Sequence, residues 1–217
     1  MNRQADWLVS ITLALTLLGV TLTGLVIRQA WLFSAIAWLM LFIYVIYALL
    51  TRNSLAFRLL LFALLADLPQ LAVDWYHVRI VKTLVYDYAF FRILETPDYI
   101  LAGWGFAFFQ LGYLLLRLAP RFGWRRLGLA VTLGGTLIHS WYEEMAYQAG
   151  AWRYIHAALL AHVSIWVIFS FLFIIATICY LLFRLKDRTD WQSWAAAGLL
   201  NGVGIFIYSA LAVQFLR

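Results

Sequence analysis

The chain offers almost no sulfur chemistry. Its single cysteine, Cys179, excludes an internal disulfide and any cysteine-built zinc or iron–sulfur centre. Cys179 stands inside an apolar run and reads as helix packing. Charge is equally scarce. Only 12% of the 217 residues are Asp, Glu, Lys or Arg, against about a quarter in an ordinary soluble domain. So little charge does not cover a water-exposed surface. Alternation of polar and apolar residues is also missing, which excludes an outer-membrane barrel and leaves strands unexpected. No low-complexity tract and no internal repeat stands out.

What is present is hydrocarbon: 65% of residues are hydrophobic. The apolar runs are continuous and long enough to cross a bilayer, at roughly 6–27, 30–50, 54–75, 98–119, 127–147, 156–184 and 190–216. The expectation is an all-α polytopic membrane protein, a bundle of about seven transmembrane helices forming one domain over 1–217. Seven spans of about 20 residues use about 140, which leaves short loops and no room for a soluble domain. The polar start, Met1 to Ala5, runs straight into a full-length apolar segment with no small-residue cleavage site, so the first helix is expected to be retained.

The net charge of +6 is spread over the ends of the spans, as membrane anchoring uses it, and does not point to nucleic acid. One side carries Arg3, Arg52, Arg58, Arg117, Arg121, Arg125, Arg126, Arg184, Lys186 and Arg188. The other carries Arg28, Arg79, Lys82, Arg92, Arg153 and Arg217. These are all 16 basic residues. The bias places the N-terminus in the cytoplasm of a plasma (inner) membrane protein. The longest connection, Tyr76 to Pro97, is aromatic and basic. It reads as an interfacial or re-entrant segment over the outer end, either a plain connector or a lid.

Ionisable groups inside spans are costly and usually face the bundle interior for a reason. In the third span Asp67, Gln70, Asp74 and His77 recur at helical spacing, with Pro69 set to kink the helix among them. In the fifth, Thr132, Thr136, His139, Glu143 and Tyr147 form a second stripe. It puts His139 within reach of Glu143 and turns Glu144 about 100° away. The sixth span adds His162 and Ser170, the seventh Asn201 and Tyr208. At 1.5 Å per residue these groups belong to the middle or outer half of the bilayer and converge on one pocket. A buried carboxyl there favours its protonated form and is suited to general-acid work on an apolar substrate. Two other uses compete: pairing that merely glues helices, and metal ligation. The ligand types suit a metal, but no tight motif such as HExxH is present. Four histidines are too few for the eight-histidine di-iron hydroxylases. No metal or cofactor is therefore expected.

Aromatic residues make up 18% of the chain, including 11 Trp. Trp7, Trp31, Trp124, Trp191 and Trp194 suit interfacial belts. Trp38, Trp104 and Trp166 sit deeper, where aromatic faces line an apolar groove or stabilise a carbocation.

Two stretches carry a family resemblance. Glu143, Gly150, Trp152 and Tyr154 stand as E-x6-G-x-W-x-Y. Tyr86 and Tyr88 form Y-x-Y, followed by Pro97 and Trp104 as P-x6-W. Together they resemble the carotenoid biosynthesis family that includes the bisanhydrobacterioruberin hydratases, and the related lycopene cyclase domain. The resemblance covers about residues 86–154. Leu84 and Val85 stand where that family has a glycine-rich stretch. Membrane ceramidases match less well, since their paired histidines are absent. Microbial rhodopsins need a lysine in the last helix, which this chain lacks. The resemblance implies acid-initiated cyclisation or hydration of a C=C bond in a hydrophobic isoprenoid or lipid substrate, without a redox cofactor. The catalytic candidates are Asp67, Asp74, His139, Glu143 and Glu144. Substrate-binding candidates are Tyr86, Tyr88, Trp104, Trp152, Tyr154, His162, Trp166 and Asn201. The competing expectation is a non-catalytic accessory or ligand-binding subunit, packed on a membrane protein partner in a pigment–protein assembly.

Overall fold

The computed structural model describes residues 3–216. Arg217, counted above on the outer side, lies outside them. Eight helices follow the apolar runs: α1 (Arg3–Leu22), α2 (Trp31–Thr51), α3 (Ser54–Asp67), α4 (Gln70–Trp75), α5 (Asp98–Phe122), α6 (Trp124–Gln148), α7 (Ile165–Leu185) and α8 (Trp191–Leu216). α1 runs on into a π turn, Thr23–Ile27, and α4 into another, Tyr76–Ile80. α3 and α4 form one span broken at Leu68–Pro69, where proline removes a donor from the helix ladder. The chain is therefore a bundle of seven membrane-length helical segments. Six are both long and apolar enough to cross a bilayer. α6 is as long as α5 but more polar, because its inward face carries the ionisable stripe. Its outward face, Leu129, Leu133 and Leu137, is apolar and exposed, as lipid contact requires.

Local signals explain the ends. The Asn53 side chain accepts hydrogen bonds from the N–H groups of Leu55 (3.0 Å) and Ala56 (3.1 Å) and so starts α3. Gly123 alone joins α5 to α6 at φ +79°, a turn that a side chain would strain. Asp190 accepts from Ser193 N–H at 2.8 Å and starts α8. α3 and α8 touch backbone to backbone: a Cβ on Gly198 would stand 2.6 Å from the Phe62 carbonyl oxygen, and one on Gly202 2.6 Å from that of Ala66. Small residues let helices approach this closely where no hydrophobic effect drives them together.

Several expectations need correction. Short strands do form, all in the two long connections: β1 (Leu84–Tyr86), β2 (Arg92–Ile93), β3 (Thr96–Pro97), β4 (Trp152–Tyr154), β5 (Leu159–Leu160) and β6 (Val163–Ser164). β1 pairs antiparallel with β4, with Leu84 opposite Tyr154 and Tyr86 opposite Trp152. β2–β3 and β5–β6 are two-residue hairpins. Backbone groups near the membrane must find partners inside the protein, and pairing two loops with each other achieves this. The connection after α4 is thus a β cap rather than a re-entrant segment. The third span reaches Ile80, beyond the expected 75. The sixth begins at Ile165, not 156, because 156–164 folds into the cap. Trp194 is not in a belt: it is buried and donates its Nε1–H to the Arg188 carbonyl at 3.1 Å. Trp7, Trp31 and Trp191 are exposed. Cys179 packs between α6 and α7, 3.8 Å from the Gly128 carbonyl and 3.9 Å from the Thr132 hydroxyl.

Candidate functional site

Under the cap, α4, α5, α6, α7 and α8 surround a cavity of about 60 Å³, with β1 and β4 as its roof. Side chains two apart on a strand share a face. Leu84 and Tyr86 of β1, and Trp152 and Tyr154 of β4, accordingly all line the cavity. The Y-x-Y and G-x-W-x-Y stretches, far apart in sequence, meet in this one ladder.

Two carboxyls line the same space, and the roof holds both. Asp74 Oδ1 accepts from Gln70 Nε2 at 2.7 Å and from the Tyr86 hydroxyl at 2.9 Å. Its Oδ2 is buried with no hydrogen-bond partner. Glu143 Oε2 accepts from Trp152 Nε1 at 2.7 Å and from the Tyr154 hydroxyl at 2.6 Å. Burial, with the neighbouring carboxyl second, pushes the Tyr86 and Tyr154 hydroxyls well above the usual phenol range. Both therefore stay protonated and act as donors. The two carboxyls stand close enough to interact electrostatically.

The remaining wall is aromatic. His77 and Trp166 stack at 4.0 Å with their planes 2° apart, and Tyr154 meets Trp166 edge-on at 5.7 Å. His77 Nδ1 lies 3.1 Å from the Thr83 hydroxyl, while His77 Nε2 and Trp166 Nε1 are buried without partners. Trp104 contacts Phe171 (5.6 Å) and His139 (4.7 Å). A second cavity, about 100 Å³, lies on the far side of Ile100, Trp104, Glu143 and Trp152, which line both spaces. His139 faces this second cavity.

The sequence-derived candidates thus divide. Asp74, Glu143, Tyr86, Trp104, Trp152, Tyr154 and Trp166 line the first cavity. His139 makes no hydrogen bond to Glu143. Its ring sits 3.7 Å from Phe171, because the Glu143 carboxyl is drawn toward the roof donors instead. Asp67 is buried but lines neither cavity, and its Oδ1 has no partner. Leu68 and Pro69 keep helical dihedrals, so Asp67 stays within electrostatic reach of Asp74 but sits one turn before Gln70, where the cavity lining begins. Glu144 and His162 leave the cavity altogether. Glu144 binds the His162 ring (2.8 Å) and backbone N–H (3.0 Å), and His162 stacks on Tyr147 at 3.9 Å, latching the β5–β6 hairpin to α6. Tyr88 leaves β1 and stacks on Tyr99. Asn201 is buried beside neither cavity, with both side-chain polar atoms unpartnered. Phe171 and Tyr142 were not singled out in the sequence. Phe171 belongs to the i, i+4, i+7 series Val167, Phe171, Ile174 on the inner face of α7, a pattern no different from ordinary core. Among the described residues, no three His, Cys, Asp or Glu side chains gather closely enough to hold a metal ion.

Residues 71–216 match the family described as Domain of unknown function (DUF6989). Neither a curated protein nor a solved structure matches the chain. The match takes in Asp74, Glu143, the whole cap and every helix from α5 to α8, and leaves out α1, α2 and Asp67. Spanning more than half of the sequence, it shows that the chain belongs to the DUF6989 family.

Proposed function

We propose that this protein is an integral membrane enzyme that protonates a C=C bond of an apolar isoprenoid, of carotenoid type, leading to cyclisation or hydration without a redox cofactor. The observation that carries the reading is the pair of carboxyls with unequal surroundings on one aromatic cavity. Asp74 takes both its donors on Oδ1, which leaves Oδ2 to carry the acid proton toward the cavity. Glu143 receives two donors on Oε2, which keeps that oxygen an acceptor.

In the proposed step the Asp74 O–H proton passes to one alkene carbon, which uses the π pair to form a C–H bond. The neighbouring carbon becomes a cation. Trp104, Trp152 and Trp166 line the space, and aromatic rings attract such a charge. In cyclisation a second double bond of the chain attacks the cation, and Glu143 removes an adjacent proton. In hydration a water oxygen adds while Glu143 takes its proton. Either way Asp74 ends as carboxylate and Glu143 as acid, and the pair resets when Glu143 releases its proton to solvent and Asp74 takes one up from it. The fit to apolar substrates rests on the lining, which is mostly aromatic and aliphatic, with Gln70, Asp74, His77, Glu143, Ser170 and Ser209 as its polar members. The positive bias of the uncapped end supports an orientation with the N-terminus in the cytoplasm of a plasma membrane and the cap outside.

Expression in a lycopene-producing bacterium tests the reading. Wild-type protein converts an acyclic carotenoid to a cyclised or hydrated product, and Asp74→Asn or Glu143→Gln leaves it unconverted. Unchanged pigments over several acyclic substrates contradict it. One feature favours a second, non-catalytic reading: both carboxyls also fasten the cap. A membrane protein partner, co-purified in fixed stoichiometry in mild detergent, supports an accessory role; an active lone chain rules it out.

A further inference from the structure

The second cavity opens where the bundle is least closed. α1 is fastened at two levels. Near the uncapped end Arg117 of α5 holds the Asp6 carboxylate with two nitrogens, at 2.7 and 2.9 Å, and the Tyr113 hydroxyl adds a bond of 2.8 Å. At the capped end Gly24 lies so close to α6 that a Cβ there would stand 2.9 Å from Met145 Cα. Between the two fastenings Leu13 and Leu17 of α1, with Ile138 of α6, frame this cavity. Leu13 and Leu17 lie about 10–16 Å along the helix from Asp6, within a hydrocarbon layer about 30 Å thick. Ile138 is half-exposed, and Leu15, Leu18 and Leu137 beside it face outward. The opening therefore looks onto lipid at mid-height. Inward, it ends on Trp104, Trp152 and Glu143, which also wall the acid cavity. The water side of that cavity is roofed by β1 and β4.

We infer that the second cavity is a lateral gate and tail channel for one elongated apolar chain. The chain enters from the bilayer between α1 and α6. Its tail lies along Leu13, Leu17 and Ile138, and its end passes Trp104 to reach Asp74 and Glu143. What happens at that end rests on the proposed function; occupancy of the channel does not. Polyisoprenoid and fatty-acyl chains share the required chemistry and differ in source.

The test is photolabelling of the purified full chain in nanodiscs with two diazirine probes, a linear polyisoprenol and a fatty alcohol. Adducts are expected on Leu13, Leu17 and Ile138, with the better probe naming the source. Gly103→Leu fills the channel, since a Cβ there meets only the Tyr142 hydroxyl at 3.9 Å. It should cut those adducts roughly tenfold or more. Ile138→Trp narrows the mouth from its exposed side and serves if Gly103→Leu does not fold. Asp74→Asn should keep the adducts while losing any chemistry, so failure of the gate and failure of the enzyme reading are distinguishable. Adducts no richer at Leu13 and Leu17 than at lipid-facing Leu200 and Leu211, and unmoved by either blocking variant, overturn the gate.

Discussion

Glu143 joins the proposed proton transfer to the packing of the cap, and substitutions separate the two. Glu143→Gln keeps an oxygen to accept from Trp152 and Tyr154. The account predicts a near-normal melting temperature with product formation falling by about 10²–10⁴-fold, the usual worth of a general acid or base. Glu143→Leu strands both donors in a buried site, at about 1–3 kcal/mol for each unsatisfied group. Thermal unfolding in detergent should show that variant less stable than the glutamine one; equal melting would remove Glu143 from the packing of the cap. Asp74 and Glu143 were legible in the sequence because a carboxylate in an apolar helix is too costly to be casual. Their partners were not. The donors to Glu143 lie 9 and 11 residues on, across a turn into a strand, where helical spacing no longer predicts contact. Helical spacing gave the face of Asp67 but not its level, a turn short of the cavity, and it failed for His162, placed in a span that starts only at Ile165.

Helices were legible as elements because apolar runs of spanning length leave the backbone few alternatives. The strands were not, being two or three residues long, and β1 and β4 pair across more than sixty residues of chain. Element packing makes a sharper prediction. Gly202→Ala drives a methyl to 2.6 Å from the Ala66 carbonyl oxygen and Pro69, and should cost about 1–3 kcal/mol by prying α8 from the α3–α4 break. Gly134→Ala on α6 meets nothing within 4 Å and should be neutral or stabilise by about 0.5–1 kcal/mol through helix propensity. Melting curves of the pair check this, and a Gly202→Ala protein as stable as Gly134→Ala would contradict the close α3–α8 approach. At the cap, Glu144→Ala frees the β5–β6 hairpin from α6. Amide exchange should rise over 156–164 and stay unchanged in α7.

For the whole molecule, the asymmetry between a basic, loop-poor end and a capped, aromatic end underlies both the proposed topology and the proposed chemistry. In a Cys179→Ser background, single cysteines at Leu94 and Asp187 should label from opposite sides of sealed membranes, with the Asp187 site reached only from the cytoplasm. Labelling of Asp187→Cys from outside would invert the proposed orientation without disturbing the fold. The central claim is that two unequal carboxyls in one aromatic cavity move a proton onto carbon. The most direct measurement is mass spectrometry of products formed by wild-type membranes from acyclic isoprenoids in heavy water. The account predicts one carbon-bound deuterium per product molecule, absent with Asp74→Asn and with Glu143→Gln. Product free of carbon-bound deuterium, or formed equally by both variants, would contradict it.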